Sequence, residues 1–170
     1  MKKLTLILIA ISMLFAVSNA IAYEKGNYEL TLGGSGSNDE SFDGTVFNIE
    51  AGLGYFMTPN VEALLRQGIS FADVPGDDNW NASTRISFDY NFDMRSWYPY
   101  LGVNIGYLYG DSVEEQFIAG PELGAKFFVN DTTFINAGIE YQFLFENAND
   151  ADDNFNDGRF VYLVGIGFKF

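Results

Sequence analysis

The chain contains no cysteine and no histidine. Without cysteine there is no disulfide framework, no thiolate metal site and no N-terminal Cys to carry a lipid. Basic residues are scarce as well: nine Lys and Arg stand against 23 Asp and Glu, a formal net charge of −14. That balance excludes nucleic acid or heparin as a partner, because binding a polyanion needs a basic face. Long apolar runs are also missing. After residue 22 nothing approaches the roughly 20 apolar residues of a spanning helix. Yet the hydrophobic share is 48% and the aromatic share 17%, so the apolar surface is dispersed rather than concentrated.

The first residues predict export. Lys2 and Lys3 precede an apolar run from Leu4 to Val17, broken by Thr5 and Ser12, and Ala20-Ile21-Ala22 forms an A-x-A cleavage pattern. This order is that of a secretory signal peptide over 1–22, with cleavage after Ala20 as the variant. The apolar run is too short for an uncleaved spanning anchor. The remainder, 23–170, is the length of one domain.

In that remainder the main signal is alternation. From Trp80 to Phe92 the even positions are Trp80, Ala82, Thr84, Ile86, Phe88, Tyr90 and Phe92, while the odd positions are polar or charged. Phe160, Tyr162, Val164, Ile166, Phe168 and Phe170 alternate in the same way at the end of the chain. Six further segments follow suit, at roughly 27–34, 44–56, 60–71, 97–109, 116–128 and 133–145. Eight strands result, each near the length of a tilted membrane strand. Short turns at 57–60, 93–96 and 129–132 recur about every 36 residues. Between them lie longer loops at 35–44, 72–79, 110–115 and 146–158. Short turns on one side and long loops on the other are the plan of an eight-stranded antiparallel up-and-down transmembrane β-barrel, an all-β fold with its short turns periplasmic.

Size settles which face points inward. The apolar face carries nearly all the Phe, Tyr, Ile and Leu, more volume than the lumen of eight strands can hold. The other face carries glycines, among them Gly33, Gly52, Gly54, Gly102, Gly124 and Gly138. The outward set contains no Asp, Glu, Lys or Arg, as lipid demands: Arg or Lys at mid-membrane costs about 2–4 kcal/mol. Pro121 falls in mid-strand on that face and cannot donate to a ladder, which predicts a bulge.

The stretches Trp97-Tyr98-Pro99-Tyr100-Leu101-Gly102 and Gly120-Pro121-Glu122-Leu123-Gly124-Ala125-Lys126-Phe127-Phe128, with the strand ending in Phe170, carry a family likeness. Through them the chain resembles the small eight-stranded outer-membrane β-barrels typified by the barrel domain of outer membrane protein A. The resemblance implies a place in the Gram-negative outer membrane among lipid and lipopolysaccharide. It also implies that Tyr162, Val164, Ile166, Phe168 and Phe170 form the signal read by the barrel-assembly machinery. The peptidoglycan-binding domain of that protein has no counterpart here. Outer-membrane barrel enzymes resemble one another in an active-site histidine, so none of their sites can be built from this chain. A serine would need a neighbouring base to act as a nucleophile. The expectation is a protein that is not an enzyme, with no cofactor, no metal centre and a monomeric state.

The acidic residues fall into two populations. Fourteen of the 23 lie in the four long loops, which contain no Lys or Arg. They predict a solvated, repulsive rim with at most weak binding of divalent cations. The run 152–158 resembles a calcium loop in composition, but its Gly158 comes one place late and Leu163 stands where a bidentate Glu belongs. The other population faces the lumen. Glu50, Arg66, Arg85, Glu122 and Glu140 stand about six or seven residues above the short turns, and Glu29, Glu62, Asp89, Lys126 and Lys169 lie within about three residues of the lower rim. Two belts of mixed charge follow, with Glu50 beside Arg66 and Arg85 beyond. The predicted role is structural or surface-interacting, with these belts closing the lumen. The alternative is a narrow channel for small or hydrophobic solutes.

Overall fold

A computed structural model describes residues 22–38, 45–74, 77–111, 115–145 and 158–170. The predicted signal peptide, apart from Ala22, lies outside them, as do most of the acidic loop residues. Eight strands form a closed antiparallel barrel in chain order: β1 Tyr28–Asn38, β2 Thr45–Phe56, β3 Val61–Val74, β4 Asp77–Asn91, β5 Trp97–Gly110, β6 Gln116–Phe128, β7 Thr133–Phe145 and β8 Arg159–Lys169.

Alternation produces two faces. In β5, Tyr98, Tyr100 and Asn104 are buried while Leu101, Val103 and Ile105 are exposed. The same parity puts Glu29, Glu62, Arg66, Arg85, Glu122 and Glu140 inside and a continuous apolar surface outside.

The short turns are set by side chains that take over backbone hydrogen bonds. Thr58 Oγ1 accepts from the Val61 N–H at 2.9 Å. Asp93 Oδ1 accepts from the Arg95 N–H at 2.8 Å, where Arg95 holds a φ of 73°. Asn130 Oδ1 accepts from the N–H groups of Thr132 and Thr133 at 2.9 and 2.8 Å.

Two expectations are corrected. The hairpins reach further than the apolar pattern does: β1 pairs with β2 up to Asn38–Thr45, and β3 with β4 up to Val74–Asp77. Beyond the lipid a strand needs backbone partners but no apolar row, so hydropathy marks its end too early. Pro121, in turn, makes no bulge. Ala119 faces Phe143 and Glu122 faces Glu140, so both strands advance equally, and only the pairs opposite Gly120 and Pro121 are missing from the ladder. The missing donor opens a gap without adding a residue.

Candidate functional site

The lumen holds two storeys. At the turn end five buried rings pack together: Tyr23, Phe56, Tyr98, Phe128 and Phe134. Tyr23 precedes the first strand and folds back into the barrel, stacking on Phe56 with 3.9 Å between centroids. Its hydroxyl donates to the Glu29 carboxylate. Burial, and then the neighbouring Glu29 carboxylate, hold the Tyr23 phenol well above its usual pKa.

Directly above these rings stands Lys126. Its ammonium donates to Glu29 Oε2 at 2.5 Å and Glu62 Oε2 at 2.6 Å. It also lies 5.1–5.9 Å from the ring centres of Phe56, Tyr23, Phe134 and Tyr100. Two carboxylates and four ring faces are a setting in which a buried ammonium keeps its charge.

The upper storey is organised around Glu122. Arg66 grips it with two parallel bonds, Nη1–Oε2 at 2.8 Å and Nη2–Oε1 at 2.7 Å. Asn104 donates to the same carboxylate at 2.8 Å and Ser87 at 3.3 Å. Such bidentate pairing is the strong form of the Arg–carboxylate bond. Asp89 and Glu140 lie 3.8 and 3.7 Å from the Arg66 guanidinium. Arg85 bridges Glu140 and Glu50, and Gln142 donates to Glu140.

Glycine makes room for these long side chains. Gly124 and Gly138 face each other across β6 and β7, and the Tyr100 ring lies against both. A Cβ at Gly138 would come within 2.5 Å of the Tyr100 hydroxyl.

Of the ten charged residues assigned to the lumen from sequence, Glu50, Arg66, Arg85, Glu122 and Glu140 are joined in one network, and Glu29, Glu62 and Lys126 in another. Three details depart from the expected belts. Arg66 faces Gly52 and Glu50 faces Gly68, so those two charges are offset rather than opposed, and Glu50 pairs with Arg85. Asp89 leans up to Arg66 instead of joining the lower belt. Lys169 lies opposite Glu29 in register but extends to the Ala22 carbonyl at 2.5 Å and sits 5.0 Å from the Tyr23 ring centre. Counting residues from the turns neglects the stagger that strand tilt imposes.

The aromatic floor was not anticipated. Parity carried a signal for four of its members, since Phe56, Tyr98, Phe128 and Phe134 share a face with Gly54, Gly102, Lys126 and Asn136. No alternation reaches Tyr23, which lies before the strands. Among the described residues no cluster of potential metal ligands occurs.

Tyr162, Val164, Ile166, Phe168 and Phe170, the residues of the expected assembly signal, all project from the barrel. Tyr28 and Phe170 exchange backbone hydrogen bonds of 2.8 and 2.9 Å, closing the ring at its turn end.

Comparison with solved structures returns the same architecture. The outer membrane protein OprG from Pseudomonas aeruginosa superposes with a TM-score of 0.62 at 14% identity, covering 89% of this chain and 99% of that one. The N-terminal β-barrel domain of P. aeruginosa OprF gives 0.56 at 17% identity, with 86% and 98% covered. Neisserial surface protein A gives 0.55 at 18% identity, with 85% and 96% covered. At these identities the likeness is one of fold. Among curated protein sequences none matches the chain. The family model for the outer membrane protein β-barrel domain matches residues 7–170. With that match across nearly the whole chain, and a closed eight-stranded barrel beneath it, the protein belongs to the outer-membrane β-barrel family of Gram-negative bacteria.

Proposed function

We propose that the protein is a non-enzymatic, monomeric structural barrel of the outer membrane whose lumen is closed at its turn end by its own side chains. The observation that carries this reading is the stack of aromatic floor, Lys126 cage and Arg66–Glu122 clamp, all buried. An eight-stranded barrel is just wide enough for its side chains to fill. Ser87 illustrates why catalysis is not part of the reading: the carboxylate it meets, Glu122, is held by Arg66 and Asn104 rather than free to take a proton. Its surroundings are lipid and lipopolysaccharide, with weak divalent-cation binding at the acidic loops, and the barrel-assembly machinery reads its last strand. Periplasmic short turns and extracellular long loops belong to the same reading.

Planar-bilayer recording of the refolded protein is the test. The native barrel conducts little or nothing. Arg66→Ala or Arg85→Ala opens a small leak that prefers cations, because the lumen becomes more negative. A large, steady conductance in the native barrel, unchanged by either substitution, would put the narrow-channel reading in its place.

A further inference from the structure

Seven of the eight seams between strands run far along the barrel, and the last one does not. β1 and β8 pair from Glu29–Lys169 to Gly33–Gly165 and no further. β1 nevertheless continues to Asn38 while paired with β2, and β8 begins at Arg159 while paired with β7. In the loop half the two strands therefore part, each holding its other neighbour.

A cavity of about 750 Å³ fills the loop half of the lumen, bounded by β2, β3 and β4 on the far side, and opens at this parting. Its lining passes through the wall: Gly33, Leu163 and Gly165 come from the lumen face, and Leu32, Tyr162 and Val164 from the outer face. Tyr162 and Val164 are 76% and 67% exposed, against 56% and 59% for Leu101 and Val103 in the fully flanked β5. The volume is that of a small-molecule site.

Among the described residues the polar lining leaves one cation without a carboxylate. Glu50 is taken up by Arg85. The Arg85 Nε is buried and lacks a hydrogen-bond partner. Arg159 donates through Nε to the neutral Gln142 at 2.8 Å and has no ion pair among the described residues. The Arg159 guanidinium therefore stands uncompensated at the inside of the slot, with the Arg85 Nε buried beneath it, and hydrocarbon-facing side chains flank its outside. An unpaired strand edge in hydrocarbon is costly, and a polar head lodged there would offset that cost.

We propose that the β1–β8 slot is a lateral binding site for a single-chain anionic amphiphile. Its acidic head turns inward to Arg159, and its tail lies outward along Leu32, Tyr162 and Val164. Entry is from the membrane rather than along the barrel axis, so the site does not depend on whether the turn end is closed.

The test uses the barrel in phosphatidylcholine nanodiscs with 11-(dansylamino)undecanoic acid as fluorescent probe. Binding saturates. Laurate, dodecyl phosphate or both displace the probe, and which of them does so identifies a carboxylate or a phosphate head. Dodecanol displaces it at least tenfold less well. Arg159→Gln weakens binding about tenfold, the worth of one charge-assisted contact of about 1.4 kcal/mol. Gly34→Cys with Val164→Cys, positions that would face each other if pairing continued, abolishes binding when oxidised and restores it when reduced. Should the bridge not form, Leu163→Trp, which fills the slot from within, lowers affinity instead. Equal displacement by dodecanol overturns the proposal, as does affinity unchanged by both the bridge and Leu163→Trp.

Discussion

Replacing Arg66 by Ala removes the side chain on which the upper storey of the lumen depends. Arg66 is 3% exposed and makes two bonds to Glu122. Five carboxylates and three cations are buried in the lumen, Glu29, Glu62, Asp89, Glu122 and Glu140 against Arg66, Arg85 and Lys126. The substitution leaves two cations for the same five acids. Glu122 then retains only the neutral donors Asn104 and Ser87, with Asp89 stripped of its guanidinium neighbour and Glu140 left to Arg85. Breaking a buried pair from one side costs about 3–5 kcal/mol. With an m-value of about 2 kcal/mol per M, the urea midpoint should fall by about 2 M. Unfolding of the barrel in vesicles, followed by tryptophan fluorescence and by the mobility difference between folded and heated protein on gels, measures this. Adding Glu122→Gln should recover part of the loss, since the stranded charge goes with its partner, and the double-mutant cycle should show a coupling of about 1–3 kcal/mol. A single-mutant cost below about 1 kcal/mol, or strictly additive losses, would refute the reasoning.

Four other outcomes are expected. Gly138→Ala drives a methyl into the Tyr100 hydroxyl and should destabilise by about 1–3 kcal/mol; in a Tyr100→Phe background most of that loss should vanish, and an undiminished loss would show the clash lies elsewhere. Tyr23 should ionise later than exposed tyrosines in an ultraviolet titration: its raised phenol pKa means a contribution fully present below pH 10.0 and lost as pH rises further, and Tyr23→Phe should remove that alkaline loss. Deleting Phe170, or changing it to Asp, should lower outer-membrane levels and leave unfolded protein in the periplasm, with normal levels counting against the assembly role. Single cysteines placed in 35–44 or 146–158 should react with a bulky maleimide on intact cells, whereas those in 57–60, 93–96 or 129–132 should not; labelling of the short turns would reverse the orientation.

The architecture was legible because lipid and lumen impose opposite demands on neighbouring residues. Phe88 beside Asp89, or Leu123 beside Glu122, admits one orientation only. Where those demands stop, legibility stops as well. Val74 and Asp77 are paired outside the reach of the lipid pattern, so hydropathy ended β3 and began β4 on the wrong residues. Inside the lumen, type and face were readable but partners were not. Side chains as long as Arg85 and Lys126 choose partners across the lumen, from strands far away in the chain. Glu50 meets Arg85 rather than Arg66 for that reason. Tyr23 was illegible for a different reason: its place depends on a pocket assembled by four strands after it, and nothing in Tyr23-Glu24-Lys25 announces that pocket.

The charged lumen also bears on how the barrel forms. Lys126 meets Glu29 across 97 residues and Glu62 across 64, while Arg66 meets Glu122 across 56. No hairpin contains both halves of any of these pairs. A partly assembled sheet that entered the bilayer would carry carboxylates and guanidinium groups with neither water nor partner, so intermediates gain little by inserting strand by strand. Those groups find their partners only once β6 has joined β1 and β3. Contacts so distant in sequence make folding slow and cooperative. The lumen thus works as a coincidence detector, its charges satisfied only when β1, β3 and β6 are present together.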